Sequence, residues 1–552
     1  MRSRRLRSLH PAWLFAGSLF ATAVLLFSAE CAFRKIFPSP NGEVEDYARY
    51  VSESLGPFFR LDMRGGRATL RQVPRHPMFP ESQTLFLEKT PGRLRVVVLG
   101  ESSAFLLAQS LSARVKRNGL DARVEIVNMT AGGAGMEHVL RRFHEAAELS
   151  PDAIVVLFGH NLFYRHPIAL AEPAALRPAL RLLKRSRLFL WICGRMFGVN
   201  LLHAEDFHVP GRWKAYRAVL SGMAEASRRR GIQLVLCTVP GNLRVPPQAS
   251  LQQPPPGGCL EAKFLYWSGR EEEGMRMAEA RLSGAMFSWG DFQLGEWLCR
   301  AGRYGEARKS LQKALDNDIR RWRASTAVNA LIRDVVREKG LRLLDFERMF
   351  ALGAPHGIPG WESFQDAQHP WTADQEAGEV LRAFQIASRP EPRAEPGPQE
   401  RARVLAHVVN DFSLKDRLSR AAALTLAESG LFSSAAEMEA AISAQQRSPE
   451  ETGALFSCFS EALWRSGRKD DAERFNEKAR LLAPMDAEPF LQEALFRLSA
   501  GRTDEARSWL QKTLALSPNH PEAGYYLKRL SLENERPRSG RTMQQSNSGV
   551  ED

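Results

Sequence analysis

The run Leu94-Arg-Val-Val-Val-Leu99-Gly100-Glu101-Ser102-Ser103 constrains this chain more than any other stretch. Its valines follow one another without alternating polar residues, so Val96 to Leu99 read as a strand covered on both faces, the pattern of a parallel sheet. A glycine breaks the strand, and a helix-compatible segment from Ala104 to Lys116 follows. Ser102 therefore falls where a parallel strand ends and a helix begins, the edge at which α/β folds display ligands and nucleophiles. The same serine also fits a plain helix cap after a glycine turn, so the rest of the chain has to decide between the two.

Four more strand-like runs follow: Arg123–Asn128, Ala153–Phe158, Ile232–Val239 and the short Leu341–Asp345, with helical patterns such as Glu137–Leu149 and Trp213–Arg230 between them. That alternation predicts a parallel sheet with helices on both faces. About a hundred residues separate the last two strands, too many for an ordinary crossover. Pro246, Pro247, Pro254, Pro255 and Pro256 mark a loop there, and helical sequence follows it. Residues 36–93, with Pro and Gly clusters and apolar stretches such as Thr84–Leu87, read as a spacer with irregular or β-rich edge structure.

Near the C-terminal end, Gly467, Ala472 and Pro484 recur as Gly501, Ala506 and Pro518, 34 residues on. Small residues where two helices cross, closed by a proline at that period, resemble the tetratricopeptide repeat. Gly302, Ala307 and Ala314 fit the same frame inside the long insertion, and Gly430 with Ala435 fits it more loosely. A Pro/Glu/Arg-rich linker, 388–400, precedes the C-terminal repeats, and the polar tail from 535 has the composition of disorder.

With 552 residues there is room for three or four domains of ~150 residues. The net charge of +13 is spread along the chain without a basic run interleaved with aromatics, which excludes a nucleic-acid platform. Six cysteines, at 31, 193, 237, 259, 299 and 458, form no CxxC pair, which argues against a zinc site or a disulfide scaffold and for small core residues. Arg2, Arg4, Arg5 and Arg7 precede an uncharged apolar run of 18 residues, Ala12 to Ala29. Such a run is just long enough to cross a bilayer, and its arginines belong in the cytoplasm. A signal anchor is expected at 1–35, with everything after it extracytoplasmic at an inner or plasma membrane. Cleavage near Ala29 is the rival, and a lipoprotein at Cys31 is disfavoured by Glu30. Arg177, Arg181, Lys184, Arg185 and Arg187, set among leucines and Trp191, read as the solvated basic face of a covering helix, with a membrane-surface helix as the alternative.

Four stretches at strand ends or after them carry chemistry: Gly100-Glu-Ser102-Ser103, Asn128-Met-Thr-Ala-Gly132-Gly133-Ala-Gly135, Phe158-Gly-His160-Asn161 and Phe364-Gln-Asp366-Ala-Gln-His369-Pro370. Serine, glycine, asparagine and D-x-x-H blocks in this order, over roughly residues 94–385, resemble the SGNH (GDSL-type) hydrolase superfamily. The resemblance implies a flavodoxin-like parallel sheet of order 2-1-3-4-5, interrupted by a helical insertion and followed by an all-α tetratricopeptide-like domain. It implies Ser102 as nucleophile, His369 as base and Asp366 as the carboxylate that orients it. The N–H groups of Ser102 and Gly133 and the side-chain amide of Asn161 form the implied oxyanion hole. No metal or organic cofactor is called for.

One position departs from the family. Glu101 stands where aspartate is usual, which puts the local turn in question. His160 competes with His369 as base but has no carboxylate in its own loop, and His138 reads as a helix-surface residue. Asn242 and Arg244, after the fourth strand, are candidates for substrate contact or for a loop anchored by its own hydrogen bonds. An ordinary α/β-hydrolase fits less well, because the nucleophile elbow would have Ala104 in place of its third small residue and would follow several strands.

The expected organisation is an anchor at 1–35, a spacer at 36–93, a hydrolase domain at 94–387 with its insertion at about 257–318, a linker at 388–400, helical repeats at 401–534 and a tail at 535–552. The expected activity is cleavage of an acyl ester, such as one on an O-acylated glycan, through an acyl-enzyme. An acyltransferase on a sugar hydroxyl is the neighbouring chemistry. The repeats are expected to bind a protein partner. The competing class is an interaction scaffold whose hydrolase-like domain is a docking module with little turnover.

Overall fold

The computed structural model describes residues 58–64, 67–72, 83–163, 212–247, 260–282, 288–318, 323–386, 397–411 and 417–535, besides single positions between 24 and 35. Among these no helix is long and apolar enough to cross a membrane. The expected anchor run lies outside them apart from single positions, as do the basic segment 174–199 and the tail beyond 535. The chain divides into two compact units of three segments each: Met1–Val239, Val328–Asp345 and Thr372–Glu391, then Pro240–Ala327, Phe346–Trp371 and Pro392–Asp552.

In the first unit the β-rich edge is a three-stranded antiparallel sheet of β1 (Phe59–Arg64), β2 (Arg67–Gln72) and β3 (Thr84–Phe86). The main sheet is parallel, with β4 (Leu94–Gly100), β5 (Val124–Asn128), β6 (Ala153–Leu157), β7 (Gln233–Cys237) and β8 (Arg342–Leu344) in the order β5-β4-β6-β7-β8. This is the expected 2-1-3-4-5 order. The inner strands β4 and β6 are buried almost end to end, which is why their apolar residues run without alternation. The exception is Arg95, fully buried in β4. Its guanidinium reaches Glu125 at 2.6 Å and the carbonyls of Leu149 and Phe86 at 2.7 and 2.9 Å, so the charge is paired and hydrogen-bonded where water cannot reach it.

Helices α1 (Ser102–Arg117), α2 (Met136–Ala147) and α3 (Arg212–Arg229) follow β4, β5 and β6. His138 faces inward with Val139, Arg142 and Phe143 on the buried side of α2, which corrects the surface reading. Its spacing of four to Arg142 puts both residues on the same helical stripe.

Among its described residues, the regular elements of the second unit are helices. Between β7 and β8 it holds α4 (Leu260–Trp267), α5 (Glu271–Leu282), α6 (Ser288–Arg300) and α7 (Tyr304–Asp316). Helix α8 (Thr326–Lys339), in the first unit from Val328 on, leads into β8, and after β8 comes α9 (Phe346–Gly353) of the helical unit. Helix α10 (Asp374–Ala383) returns to the sheet unit, where Arg114 of α1 donates to the Asp374 carbonyl at 2.9 Å. The C-terminal array comprises α11 (Pro398–Asp411), α12 (Arg417–Glu428), α13 (Ala435–Ser443), α14 (Pro449–Arg465), α15 (Lys469–Leu482), α16 (Glu488–Ser499), α17 (Thr503–Leu516) and α18 (Pro521–Glu535).

The pairs α6/α7, α14/α15 and α16/α17 turn on Gly302, Gly467 and Gly501, at φ of 73°, 82° and 74°, a conformation glycine adopts without a Cβ penalty. Ala307, Ala472 and Ala506 are fully buried early in the second helix of each pair. An apolar cluster containing Phe264 and Trp267 of α4 also contains residues of α11 to α18, so inserted and C-terminal helices share one core.

Candidate active site

Gly100 ends β4 at φ 150°, and a Cβ there would lie 1.9 Å from the Leu157 carbonyl oxygen. Glycine is thus required for β4 to turn into α1 while it still runs beside β6. Ser102 is the first residue of α1 and Glu101 is its N-cap, so Ser102 is not the cap itself. It belongs instead to the helix turn whose backbone N–H groups lack intrahelical acceptors.

Glu101 makes no side-chain cap bond. Its carboxylate, 0% exposed, turns to the loop after β6. There Oε1 accepts from the N–H groups of Gly159 at 3.1 Å and His160 at 2.8 Å, and Oε2 accepts from Asn161 N–H at 2.7 Å. The turn is formed, and Glu101 anchors the loop that carries Asn161. Tyr216 donates to the Phe158 carbonyl at 2.6 Å below this loop. Burial first, and the Glu101 charge second, push that phenol far up, so it remains a donor.

The glycine loop after β5 begins with Asn128 Oδ1 accepting from Thr130 N–H and Oγ1 at 3.0 and 2.6 Å. Ala131 N–H then donates to the Gly100 carbonyl at 3.1 Å. Gly133 lies in this loop at φ 66°. Asn161 lies in the 3₁₀ turn His160–Phe163 that closes β6. Ser102, at the start of α1, and Gly133 and Asn161, on their turns, therefore stand on the segments that leave three adjacent strands at one edge of the sheet, and hydrogen bonds join those segments.

Asp366 and His369 are carried by the helical unit. Asp366 Oδ2 meets His369 Nδ1 at 2.5 Å, and Oδ1 accepts from Gln368 N–H at 2.7 Å and His369 N–H at 2.6 Å. Burial pushes the Asp366 carboxyl up. The charge and hydrogen bond of His369, with the two N–H donors, outweigh burial and hold it well below the usual carboxylate range. A carboxylate at Nδ1 places the proton there and leaves Nε2 as the basic atom. The loop is tight: Phe364 bridges Pro370, Gln365 N–H donates to the His369 carbonyl at 2.9 Å, and Trp371 N–H donates to the Ser363 carbonyl at 3.1 Å.

The sequence left Asn242 and Arg244 open between substrate and structure, and the structure uses both internally. Asn242 Nδ2 donates to the Asp366 carbonyl at 3.1 Å, and its own N–H donates to the Ala367 carbonyl at 3.1 Å. Arg323, buried, holds the Asn242 and Val245 carbonyls at 2.7 and 2.9 Å. Arg244 forks onto Glu296 at 2.6 and 2.7 Å and reaches Glu428 at 3.4 Å. Asn242 thus holds the D-x-x-H loop directly, and Arg244 is spent on the carboxylates of Glu296 and Glu428. Arg323 carried no sequence signal, because an arginine that caps carbonyls in a loop has no motif. His160, the competing base, is buried, and its backbone N–H is one of the donors to Glu101.

No family model and no curated protein matches the chain. Among solved structures, it is similar to a GDSL-like lipase from Bacteroides thetaiotaomicron VPI-5482, at 13% identity and a TM-score of 0.28, covering 62% of this chain and 98% of that one. It is also similar to a putative acylhydrolase from Bacteroides fragilis NCTC 9343, at 12% identity and a TM-score of 0.27, covering 54% of this chain and 89% of that one.

Proposed function

We propose that the chain is a serine hydrolase of acyl esters. The observation that carries the reading is the Asp366–His369 pair, wired at Nδ1 by a 2.5 Å bond and backed by two N–H donors on the same carboxylate. A histidine held in this tautomer is built as a base, and Ser102 is the nucleophile assigned to it. In the proposed cycle Ser102 Oγ attacks the ester carbonyl carbon while His369 Nε2 takes its proton. The N–H groups of Ser102 and Gly133 and the Asn161 amide receive the oxyanion, and the proton on Nε2 passes to the departing alkoxide. Water, deprotonated by His369, then splits the acyl-enzyme into acid and free serine. The D-x-x-H spacing and the glycine loop support the SGNH reading, and the 34-residue glycine–alanine pattern supports tetratricopeptide-like repeats.

The arginine-flanked apolar run 12–29 supports a membrane anchor with the remainder extracytoplasmic. A fluorophosphonate should label the purified protein but not Ser102→Ala, and aryl acetates should be turned over only by the former. Failure of the unsubstituted protein to label or turn over would leave the scaffold reading in its place. For topology, a reporter fused after residue 60 should be active outside the cytoplasm, and activity confined to the cytoplasm would reverse that part.

A further inference from the structure

Thr425, buried on α12, accepts a hydrogen bond at Oγ1 from Trp361 Nε1 at 3.1 Å and donates to the Arg244 carbonyl at 2.9 Å. Trp361 is itself buried in the apolar cluster built from the C-terminal helices. Its carbonyl accepts from Trp371 Nε1 at 2.8 Å, and Trp371 stands two residues after His369. One turn beyond Thr425, Glu428 gathers the guanidinium groups of Arg244, Arg300 and Arg465 at 3.4, 3.1 and 3.5 Å. A single hydroxyl on the repeat array therefore ties down both chain segments that flank or support the Asp366–His369 loop.

Helices α14 and α16, the first helices of two successive pairs, form a face with α18, the last helix described. Helix α4 of the insertion covers it. Trp267 lies 6.4 Å from the Phe496 ring and under the Arg465 guanidinium at 5.5 Å, and Phe264 lies 5.7 Å from the Tyr526 ring. Lys263 pairs with Glu522 at 2.5 Å, and Arg529 approaches Glu261 at 3.8 Å. The surface on which a helical array would take a separate helix already holds a segment of its own chain, with aromatic and charged anchors both satisfied.

We infer that the C-terminal helical array acts in cis as the mount of the Asp366–His369 pair, with Trp361 and Thr425 as positioning residues. This rests on the serine-hydrolase reading only for its catalytic consequence; the mounting itself is a property of the helical unit. Thr425→Val keeps the shape and removes the hydroxyl that meets Trp361 and Arg244 and shares its proton with the Ala422 carbonyl, whereas Thr425→Ser keeps it. Trp361→Phe removes the donor from the other side.

The test uses the full chain and two readouts. In amide hydrogen exchange, Thr425→Val and Trp361→Phe should each speed exchange in peptides over 358–371, while β4 peptides stay as in the parent protein. In steady-state aryl acetate turnover, each should lower kcat by about 10- to 100-fold with KM little changed, since misplacement of a base by under an ångström or so costs rate rather than binding. Thr425→Ser should restore both. Unchanged exchange in a folded Thr425→Val protein would overturn the mount, and faster exchange with an unchanged kcat would overturn the positioning role. If the unsubstituted protein is neither labelled at Ser102 nor active, the hydrolase reading fails, and the exchange data alone then decide whether the array holds the loop.

Discussion

Asn161 donates its backbone N–H to Glu101 Oε2 at 2.7 Å, so the neighbour of the proposed nucleophile holds the asparagine assigned to the oxyanion. The bond spans two loops that leave adjacent strands. A carboxylate with no solvent contact that accepts three N–H groups is a fixed strut, because each bond is charge-assisted and none has water to replace it.

Shortening the strut should therefore loosen the oxyanion site before it unfolds the protein. Glu101→Asp should lower kcat about 10- to 100-fold with a smaller change in KM, since one methylene less withdraws the carboxylate from at least one N–H. Glu101→Ala, which leaves three buried donors unpaired, should cost about 3 kcal/mol or more of stability. Steady-state kinetics and calorimetry on the two variants separate these effects, and an Asp variant with full kcat would count against the strut.

Burial first, and then Arg142 and Arg141, push His138 down to about 4. An unfolded histidine titrates near 6.5, so between those values the unfolded chain binds the proton that the folded one refuses. Stability from this group is whole above about pH 6.5 and falls as the pH drops toward 4, by on the order of 3 kcal/mol. His138→Asn should flatten that decline. Thermal melts at pH 7 and pH 5 measure it, and an equal drop in both proteins would refute the assignment.

Asp366 has the opposite linkage partner and a lower window. Its folded carboxyl is depressed, so its stabilisation is present above the ordinary unfolded value of about 4 and is lost as the pH falls below it. Asp366→Asn should remove about one proton's worth of slope from stability against pH in that acid range. It should also cut kcat by about 10³- to 10⁴-fold at neutral pH, because an amide at Nδ1 no longer enforces the productive tautomer. Acid titration of unfolding and aryl acetate kinetics read the two parts separately.

Glu428 serves three guanidinium groups from a half-buried position; burial pushes its carboxyl up, and those charges outweigh it and hold the carboxyl below the ordinary range. Glu428→Ala removes a carboxylate shared by three arginines, of which Arg244 keeps Glu296 and Arg465 keeps Glu461, and should cost about 1–3 kcal/mol. Denaturant unfolding followed by helical circular dichroism checks it, and a loss within about 0.5 kcal/mol would show that the arginines find other acceptors.

The strands themselves, the strand end that carries Ser102 and the glycine-turned helix pairs were legible because each rests on local pattern, whereas the strand order came from the resemblance of the four blocks. Consecutive valines need two covered faces, and a glycine at each helix–helix turn needs only its own φ. Glu101, Arg95, His138, Asn242 and Arg244 were not legible to the same degree. A buried glutamate and an exposed one have the same letters around them, and what separates them here is a partner 58 to 60 residues away in the chain for Glu101.

By itself, the sequence determined the sheet, its register of blocks and the residue types that chemistry of this kind requires, because period and spacing are properties of the chain alone. Only the tertiary structure decided what holds those blocks still. Glu101 was assigned to the asparagine loop, Asn242 to the Asp366 loop, Arg323 to the Asn242 and Val245 carbonyls, and the C-terminal helices to the inserted helix α4. Each of these is a desolvated polar or aromatic contact between distant segments, and its energy exists only once folding has removed the water.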